Sequence, residues 1–207
     1  MPELYSVGVN GGRPTQLLTT PAEEVKFSKD GNKMIYQDKK GGENTWRKHH
    51  TSSIARDIWV YDAASNTHKM ISEFGGEDRN PVFAPGEKAV YYLTEEKGSF
   101  NVQKMSLDNT AQKTVLTSLK DFPVRFLSIS KTGLMSFSYD GELYTLIEGE
   151  QPKKVLVSIT TQRISNPDSY ISINGGVREM SISPDGKEIA FTARGEVFVT
   201  SVDGSLT

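Results

Sequence analysis

Apolar residues along this chain come in short bursts, and the bursts recur. MIYQ, AVYYL, LMSFS and EIAFT each follow a cluster of turn-forming residues. The clusters are Phe27-Ser28-Lys29-Asp30-Gly31, Phe83-Ala84-Pro85-Gly86, Ile129-Ser130-Lys131-Thr132-Gly133 and Ile182-Ser183-Pro184-Asp185-Gly186. Their anchors at 27, 83, 129 and 182 lie 56, 46 and 53 residues apart. A second burst follows each one: Asp57 to Asp62, Asn101 to Met105, Glu142 to Leu146 and Glu196 to Thr200, with Leu4 to Val7 as an earlier copy. A third element closes most units: TQLLTT, HKMISEF, QKTVLTS or PKKVLVSI. Each unit therefore predicts four short strands, one before the turn, one after it and two more.

Four-stranded units at this spacing predict a β-propeller. The face pattern agrees. A sandwich strand alternates apolar and polar residues, whereas Ile58-Trp59-Val60-Tyr61 and Val90-Tyr91-Tyr92-Leu93 are apolar on both faces. Blades packed face to face need such strands. A buried parallel sheet needs them too, but it also needs helices between strands, and no helical period of useful length is present. The expected fold class is thus all-β: a β-propeller of four-stranded antiparallel blades. Three full blades are expected, at about 25–74, 80–118 and 124–159. Partial blades at 1–20 and 177–207 complete one propeller segment spanning 1–207. A six-bladed ring is the simplest parent. A four-bladed ring closed by the two ends is the alternative, though the ends duplicate one strand. A fourth strand is due at Ser205-Leu206-Thr207, so further residues are expected on both sides.

Ser183 raises the question of a nucleophile. Pro184 presets φ for the first turn corner, Asp185 suits the second, and Gly186 takes a left-handed conformation. The Ser183 hydroxyl bonds local amides. Serine fills this slot in three copies and alanine in the fourth, so the stretch is a hairpin.

Composition removes several function classes. With 36% hydrophobic and 24% charged residues the chain can bury a core. The longest apolar run, Ala89 to Leu93, is far too short for a membrane-spanning helix. MPELYSVGVNGG has no basic start and no long apolar stretch, so no leader is expected there. A net charge of -2 argues against nucleic acid as a partner. There is no cysteine, which excludes thiol chemistry and disulfides. The three histidines are His49, His50 and His68. Adjacent histidines on an extended chain point to opposite sides, so His49-His50 makes a poor metal pair. No metal site and no cofactor are expected. An enzyme built into the propeller, as in some sugar lyases, would need a clustered ligand set that three histidines do not supply.

The strongest departure from the repeat is the insertion KKGGENTWRKHHTSSIAR between Asp38 and Asp57. It carries Lys39, Lys40, Arg47, Lys48 and Arg56 against the single acid Glu43, together with Trp46, His49 and His50. Long loops on rigid scaffolds carry binding, and a basic loop with an aromatic suits a carboxylate or another anion. The competing expectation is a solvated loop filling a neighbouring groove. Glu77, Asp78 and Arg79 precede an innermost strand and are expected to line the central channel. There the two acids would serve acid catalysis or a cation, or else Arg79 pairs with an acid and Asp78 caps a turn. The polar segment 163–176 reads as an interblade loop, and Arg194 with Glu196 as a strand-end ion pair. No nucleophile elbow and no phosphate-binding glycine loop is present.

Arg56-Asp57-Ile58-Trp59-Val60-Tyr61-Asp62, Gly76-Glu77-Asp78-Arg79-Asn80-Pro81-Val82, Ser99-Phe100-Asn101-Val102 and Ala193-Arg194-Gly195-Glu196-Val197-Phe198, in this order, resemble the N-terminal propeller of tricorn-type proteases. The resemblance covers nearly the whole chain. The SPDG hairpins alone are shared with TolB-like and prolyl-oligopeptidase-type propellers. The resemblance implies a large multidomain serine peptidase with a six-bladed and a seven-bladed propeller, a PDZ-like module and catalytic domains related to C-terminal processing peptidases. The propellers of such proteins gate peptide passage, and a basic pair of the first propeller region anchors the substrate's carboxylate. Arg47-Lys48 matches that pair by basic character and loop placement. Peptides, or the parent's own catalytic and PDZ-like domains, are the implied partners. The resemblance implies a cytoplasmic location, with a periplasmic one as the alternative. The expected function is non-catalytic guidance of peptides. The alternative is a TolB-like protein-docking propeller with no associated peptidase. Self-association through open, apolar blade faces is also expected.

Overall fold

A computed structural model describes residues 3–42, 44, 46–160 and 172–204. Glu43, residues 163–171 of the polar segment and the final Ser205, Leu206 and Thr207 lie outside them. The chain divides into two compact units, Met1–Val157 and Ser158–Thr207. The described residues contain no helix.

In the first unit, β1 (Leu4–Ser6) and β2 (Thr15–Leu18) pair antiparallel as a two-stranded sheet. Three four-stranded sheets follow. The first is β3 (Ala22–Phe27), β4 (Lys33–Asp38), β5 (Ile58–Asp62) and β6 (Thr67–Met70). The second is β7 (Asp78–Phe83), β8 (Ala89–Thr94), β9 (Asn101–Ser106) and β10 (Lys113–Val115). The third is β11 (Arg125–Ile129), β12 (Met135–Tyr139), β13 (Glu142–Leu146) and β14 (Lys153–Lys154). Each is an antiparallel meander in chain order, the topology that short connections between consecutive strands favour, and in the first sheet the insertion between Asp38 and Asp57 stands in place of one such turn. In the second unit, β15 (Val177–Ile182), β16 (Glu188–Ala193) and β17 (Glu196–Ser201) form a three-stranded meander of the same kind.

β8 shows why these strands are apolar throughout. All six of its residues are buried. Val90 and Tyr92 join Ile35, Ile58, Ile71 and Met105, the core shared with the preceding sheet. Ala89, Tyr91 and Leu93 join Phe100, Val102, Val124, Leu127, Met135 and Phe137, the core shared with the following sheet. Successive side chains point to opposite faces, so one strand serves two cores. Each large side chain buried in this way contributes roughly 1.5–3 kcal/mol. β12 marks the contrast: Met135 and Phe137 are buried, while Ser136 on the other face is exposed. In the second unit, Met180, Ile182, Ile189, Phe191 and Phe198 share one face of the sheet, and Ala190, Val197 and Val199 share the other. Met180, Ile182, Val197 and Val199 are exposed.

The repeated turns have the expected chemistry. Ser28 and Ser183 hydroxyls each donate to the turn aspartate, Asp30 and Asp185, at 2.7 Å. Each also accepts an amide of the outgoing strand, from Lys33 N at 2.8 Å and Glu188 N at 2.9 Å. Gly31, Gly133 and Gly186 take φ of 72°, 88° and 74°. The copy at 84–87 differs. Its turn closes from Glu87 N to Ala84 O, so Glu87, at φ 57°, stands where the others have glycine. Its carboxylate accepts the Lys29 N–H of the neighbouring turn at 2.7 Å. On the other side, a Cβ added at Gly133 would lie 3.0 Å from Pro85. The turns therefore interlock from blade to blade.

Candidate functional site

Strands β3, β7 and β11 pack side by side, with β7 between the other two. Each carries a register shift near its start, between Glu23 and Lys26, Arg79 and Val82, and Arg125 and Ser128. Within each shift one non-glycine residue is left-handed: Glu24 (φ 53°), Asn80 (φ 49°) and Phe126 (φ 57°). Such a conformation costs roughly 1–2 kcal/mol per residue. These bulges re-aim the side chains beside them, as bulges near functional sites do. The result is a cavity of about 470 Å³. Its lining includes Glu23 and Glu24 from β3, Arg79 and Asn80 from β7, and Arg125 and Phe126 from β11. Leu93, Phe100 and Val124 supply apolar wall, and Trp46 reaches in from the insertion.

The guanidiniums are held by aromatic faces. Arg125 lies 4.9 Å from the Trp46 ring centroid and 5.8 Å from that of Phe100, and Arg79 lies 5.4 Å from Phe100. Trp46 meets Phe126 edge to face at 6.2 Å. Burial lowers the Arg125 pKa, and the like charge of Arg79 adds to the shift against the opposing pull of Glu95. Trp46 and Phe126 are 63% and 62% exposed, an aromatic lip on a site whose Phe100 is sealed at 1%.

Behind the cavity runs an ion-pair network. Glu77 is fully buried and sits between two arginines, with Arg79 Nε donating at 2.5 Å and Arg56 Nη1 at 3.3 Å. His50 Nδ1 is 3.6 Å from the same carboxylate. Arg56 Nε donates to Glu23 at 3.3 Å, and Lys39 pairs with the other Glu23 oxygen at 3.0 Å. Gln37 donates to Glu23 at 3.3 Å and accepts the Asn80 amide at 2.9 Å. Glu23 is pushed up by burial but ends below the ordinary value, because Lys39 and Gln37 bonds and the Lys39 and Arg56 charges outweigh it. Removing one partner of such a buried set costs several kcal/mol, so the network fixes where Arg79 points.

Asp78 has a different environment. It is 1% exposed, and neither carboxylate oxygen has a hydrogen-bond partner. Burial pushes its pKa up to about 7, Thr94 and Ser72 draw it back, and Asp57 adds to the rise. The two hydroxyls act at short range without proper bonding geometry to Asp78. Ser72 Oγ donates to Asp57 at 3.4 Å, and Thr94 Oγ1 accepts the Glu96 amide at 3.2 Å. Glu95, also buried, is raised by its burial.

The residues singled out in the sequence thus fall in different places. Trp46 lines the cavity. Arg47, Lys48 and His49 follow it on the surface, while His50 is buried; His49, at φ 52°, is not extended, so the alternation of an extended chain does not describe this pair. Arg79 lines the cavity, and Glu77 and Asp78 lie sealed behind it. Arg79 has its acid partner in Glu77, whereas Asp78 is a strand residue and caps no turn. Arg194 and Glu196 form no ion pair among the described residues; Arg194, at φ 56°, belongs to the turn itself. Arg125, Phe100, Glu23 and Glu24 were not anticipated. One signal was available: Glu23, Arg79 and Arg125 each stand four residues before an anchor at 27, 83 or 129. Among the described residues no group of three or more His, Asp or Glu is placed to hold a metal ion.

Four-stranded meanders packed face to face, with their first strands side by side around a common cavity, define a β-propeller segment. The chain belongs to the family of the tricorn protease N-terminal β-propeller domain, whose model matches residues 1–151. The tricorn protease of Thermoplasma acidophilum is 27% identical over 207 residues, 98% of this chain and 18% of that protein. A crystal structure of the tricorn protease matches with a TM-score of 0.71 at 24% identity, covering 99% of this chain and 19% of the other. TolB from Acinetobacter baumannii matches with a TM-score of 0.55 at 18% identity, over 99% of this chain and 47% of its own. The chain therefore spans less than a fifth of the length of the tricorn relatives it matches.

Proposed function

We propose that this chain is the non-catalytic propeller part of a tricorn-type serine peptidase. In this reading it receives short peptides and guides them to catalytic and PDZ-like domains carried elsewhere in the longer protein. The observation that carries this is the cavity, where the first strands of three sheets bring two guanidiniums, an exposed aromatic lip and an apolar wall together. Peptides offer the matching groups: apolar side chains for Leu93, Phe100 and Val124, and carboxylates for the arginines. Trp46 is the insertion's contact within the cavity. Arg47, Lys48 and His49 extend a positive rim beside it, and His50 supports the rim from behind. Glu77 and Asp78 act on the peptide only through Arg79. Apolar faces of open blades are a second contact surface, through which copies of the chain associate.

Trp46 makes the reading testable. Titrating short peptides onto the chain should change its tryptophan fluorescence, and Trp46→Phe should remove the change. Arg125→Ala should weaken binding about ten-fold, the value of a charge-assisted hydrogen bond. Replacing Arg47 and Lys48 together by alanine should weaken peptides with a free carboxylate and spare amidated ones. Equal loss for both kinds would remove the basic pair as a carboxylate anchor. The chain itself should cleave none of these peptides; cleavage blocked by a serine-reactive inhibitor would overturn its non-catalytic role.

A further inference from the structure

The insertion between β4 and β5 has a base and a tip of different construction. The base continues the strand pair by one step. Asp38 N donates to Asp57 O at 3.1 Å, and Asp57 N donates to an Asp38 carboxylate oxygen at 2.8 Å. Lys40 ties the two stems together through the Asp57 carboxylate and the Ala55 carbonyl. A Cβ added at Gly41 would lie 3.3 Å from Ile54, and His50, Ala55 and Arg56 are buried. Beyond Gly41 the chain changes character. Gly42, Asn44 and Trp46 to His49 are all exposed. The hydrogen bonds from Trp46 N and Arg47 N both go to Asn44, so they hold the tip to itself. Two permissive points bound this tip: Gly42, where an added Cβ would meet nothing within 4 Å, and the left-handed His49.

The tip nevertheless reaches from the first four-stranded sheet to β11 of the third. Trp46 lies on the Arg125 guanidinium at 4.9 Å, meets the Phe126 ring at 6.2 Å and offers its carbonyl to Arg125 Nη2 at 3.5 Å. Ring contacts of these two kinds favour the docked position by roughly ten-fold, enough to hold the tip and too little to lock it. Trp46 and Phe126 form the exposed lip of the cavity, and Leu93, Phe100 and Val124 form its sealed wall.

We infer that the tip carrying Trp46 is a lid on the cavity, latched by Arg125 and Phe126 and mounted on a base that stays fixed. Undocking Trp46 removes one wall, bares Arg125 and opens the apolar surface behind it, while the Asp38–Asp57 step and Arg56 keep the sheet in place. The lid governs access whatever enters, so it does not depend on the peptide-receiving reading above.

The chain has no cysteine, so one placed at Val124 is its only thiol. Val124 lines the cavity and is 0% exposed. In the whole chain, Val124→Cys should react slowly with a soluble thiol reagent, and about ten-fold faster once Trp46→Ala is added. Trp46→Phe keeps a ring on Arg125 and should stay within roughly three-fold of the parent rate. Equal rates with and without Trp46, or no reaction in either, would overturn the lid. Hydrogen exchange on the chain without a reporter decides the matter even where Val124→Cys fails to fold. Arg125→Ala should speed exchange of residues 46–49 roughly three-fold and leave residues 55–58 unchanged. Equal acceleration of both segments would mean that tip and base move as one, and no acceleration would mean that Arg125 is no latch; either result would overturn the inference. Neither experiment contains a peptide, so its outcome is separate from that of the binding titrations.

Discussion

Asp78 is a buried carboxylic acid whose neutral form folding favours. Its pKa, pushed up to about 7, lies above that of an unfolded aspartate, so the folded state holds one more proton between the two values. The stability from this group is complete below about pH 4 and declines as pH rises to 7, by about 1.4 kcal/mol per pH unit. His68, pushed down by burial, works in the opposite sense as pH falls below its ordinary range. Glu23 and Glu148, held low, do so at more acid pH. The clean measurement is therefore a difference. Wild-type and Asp78→Asn proteins should melt alike near pH 4, and the variant should become the more stable of the two as pH approaches 7. The gap should then stay constant. Parallel melting curves across this range would show that Asp78 is ionised in the fold. A second residue-scale test concerns Glu87, which occupies a left-handed slot and bonds the adjacent turn. Glu87→Ala keeps the strain and loses the bond, so denaturant melts should show a loss of about 1 kcal/mol. Glu87→Gly loses the bond but relieves the strain, and should stay close to wild type. Equal losses would mean that the strain is negligible.

At the scale of elements, the strands and turns were legible because their causes are local. Ser28, Ser130 and Ser183 announce hairpins through short-range hydrogen bonds, and the apolar bursts after them have nowhere to go but a buried strand. The cavity was not legible in the same way. It depends on bulges whose left-handed residues are glutamate, asparagine and phenylalanine, of which only the asparagine is a type that favours a positive φ. It also joins Trp46 to Arg125, 79 residues away. The insertion looked electropositive because composition counts Arg56 and Lys39 as loop charges. The fold turns both inward onto Glu23 and Glu77. Burial and pairing across three strands are tertiary facts, and no window along the chain contains them. The apolar two-faced strands, by contrast, carried the blade architecture openly, since alternate residues of β8 had to satisfy separate neighbours.

At the largest scale, the sheet of the second unit has apolar side chains exposed on both faces among the described residues. Met180, Ile182, Val197 and Val199 are more than half exposed on the sheet of the second unit. Exposed apolar surface of this kind drives association. Sedimentation of the isolated chain should show larger species as concentration rises, and Met180→Ser with Val197→Ser should shift the distribution toward monomer. A wild-type chain that stays monomeric at every concentration would remove self-association from the account. The double duty of β8 has a consequence at this same scale. Inserting or deleting one residue in that strand would exchange its two side-chain sets, sending Val90 and Tyr92 toward the wrong seam and Tyr91 and Leu93 toward the other. Both seams would fail together. A change of length is therefore absorbed only between strands or in loops such as 39–56, and each blade has to be kept whole for either of its seams to form.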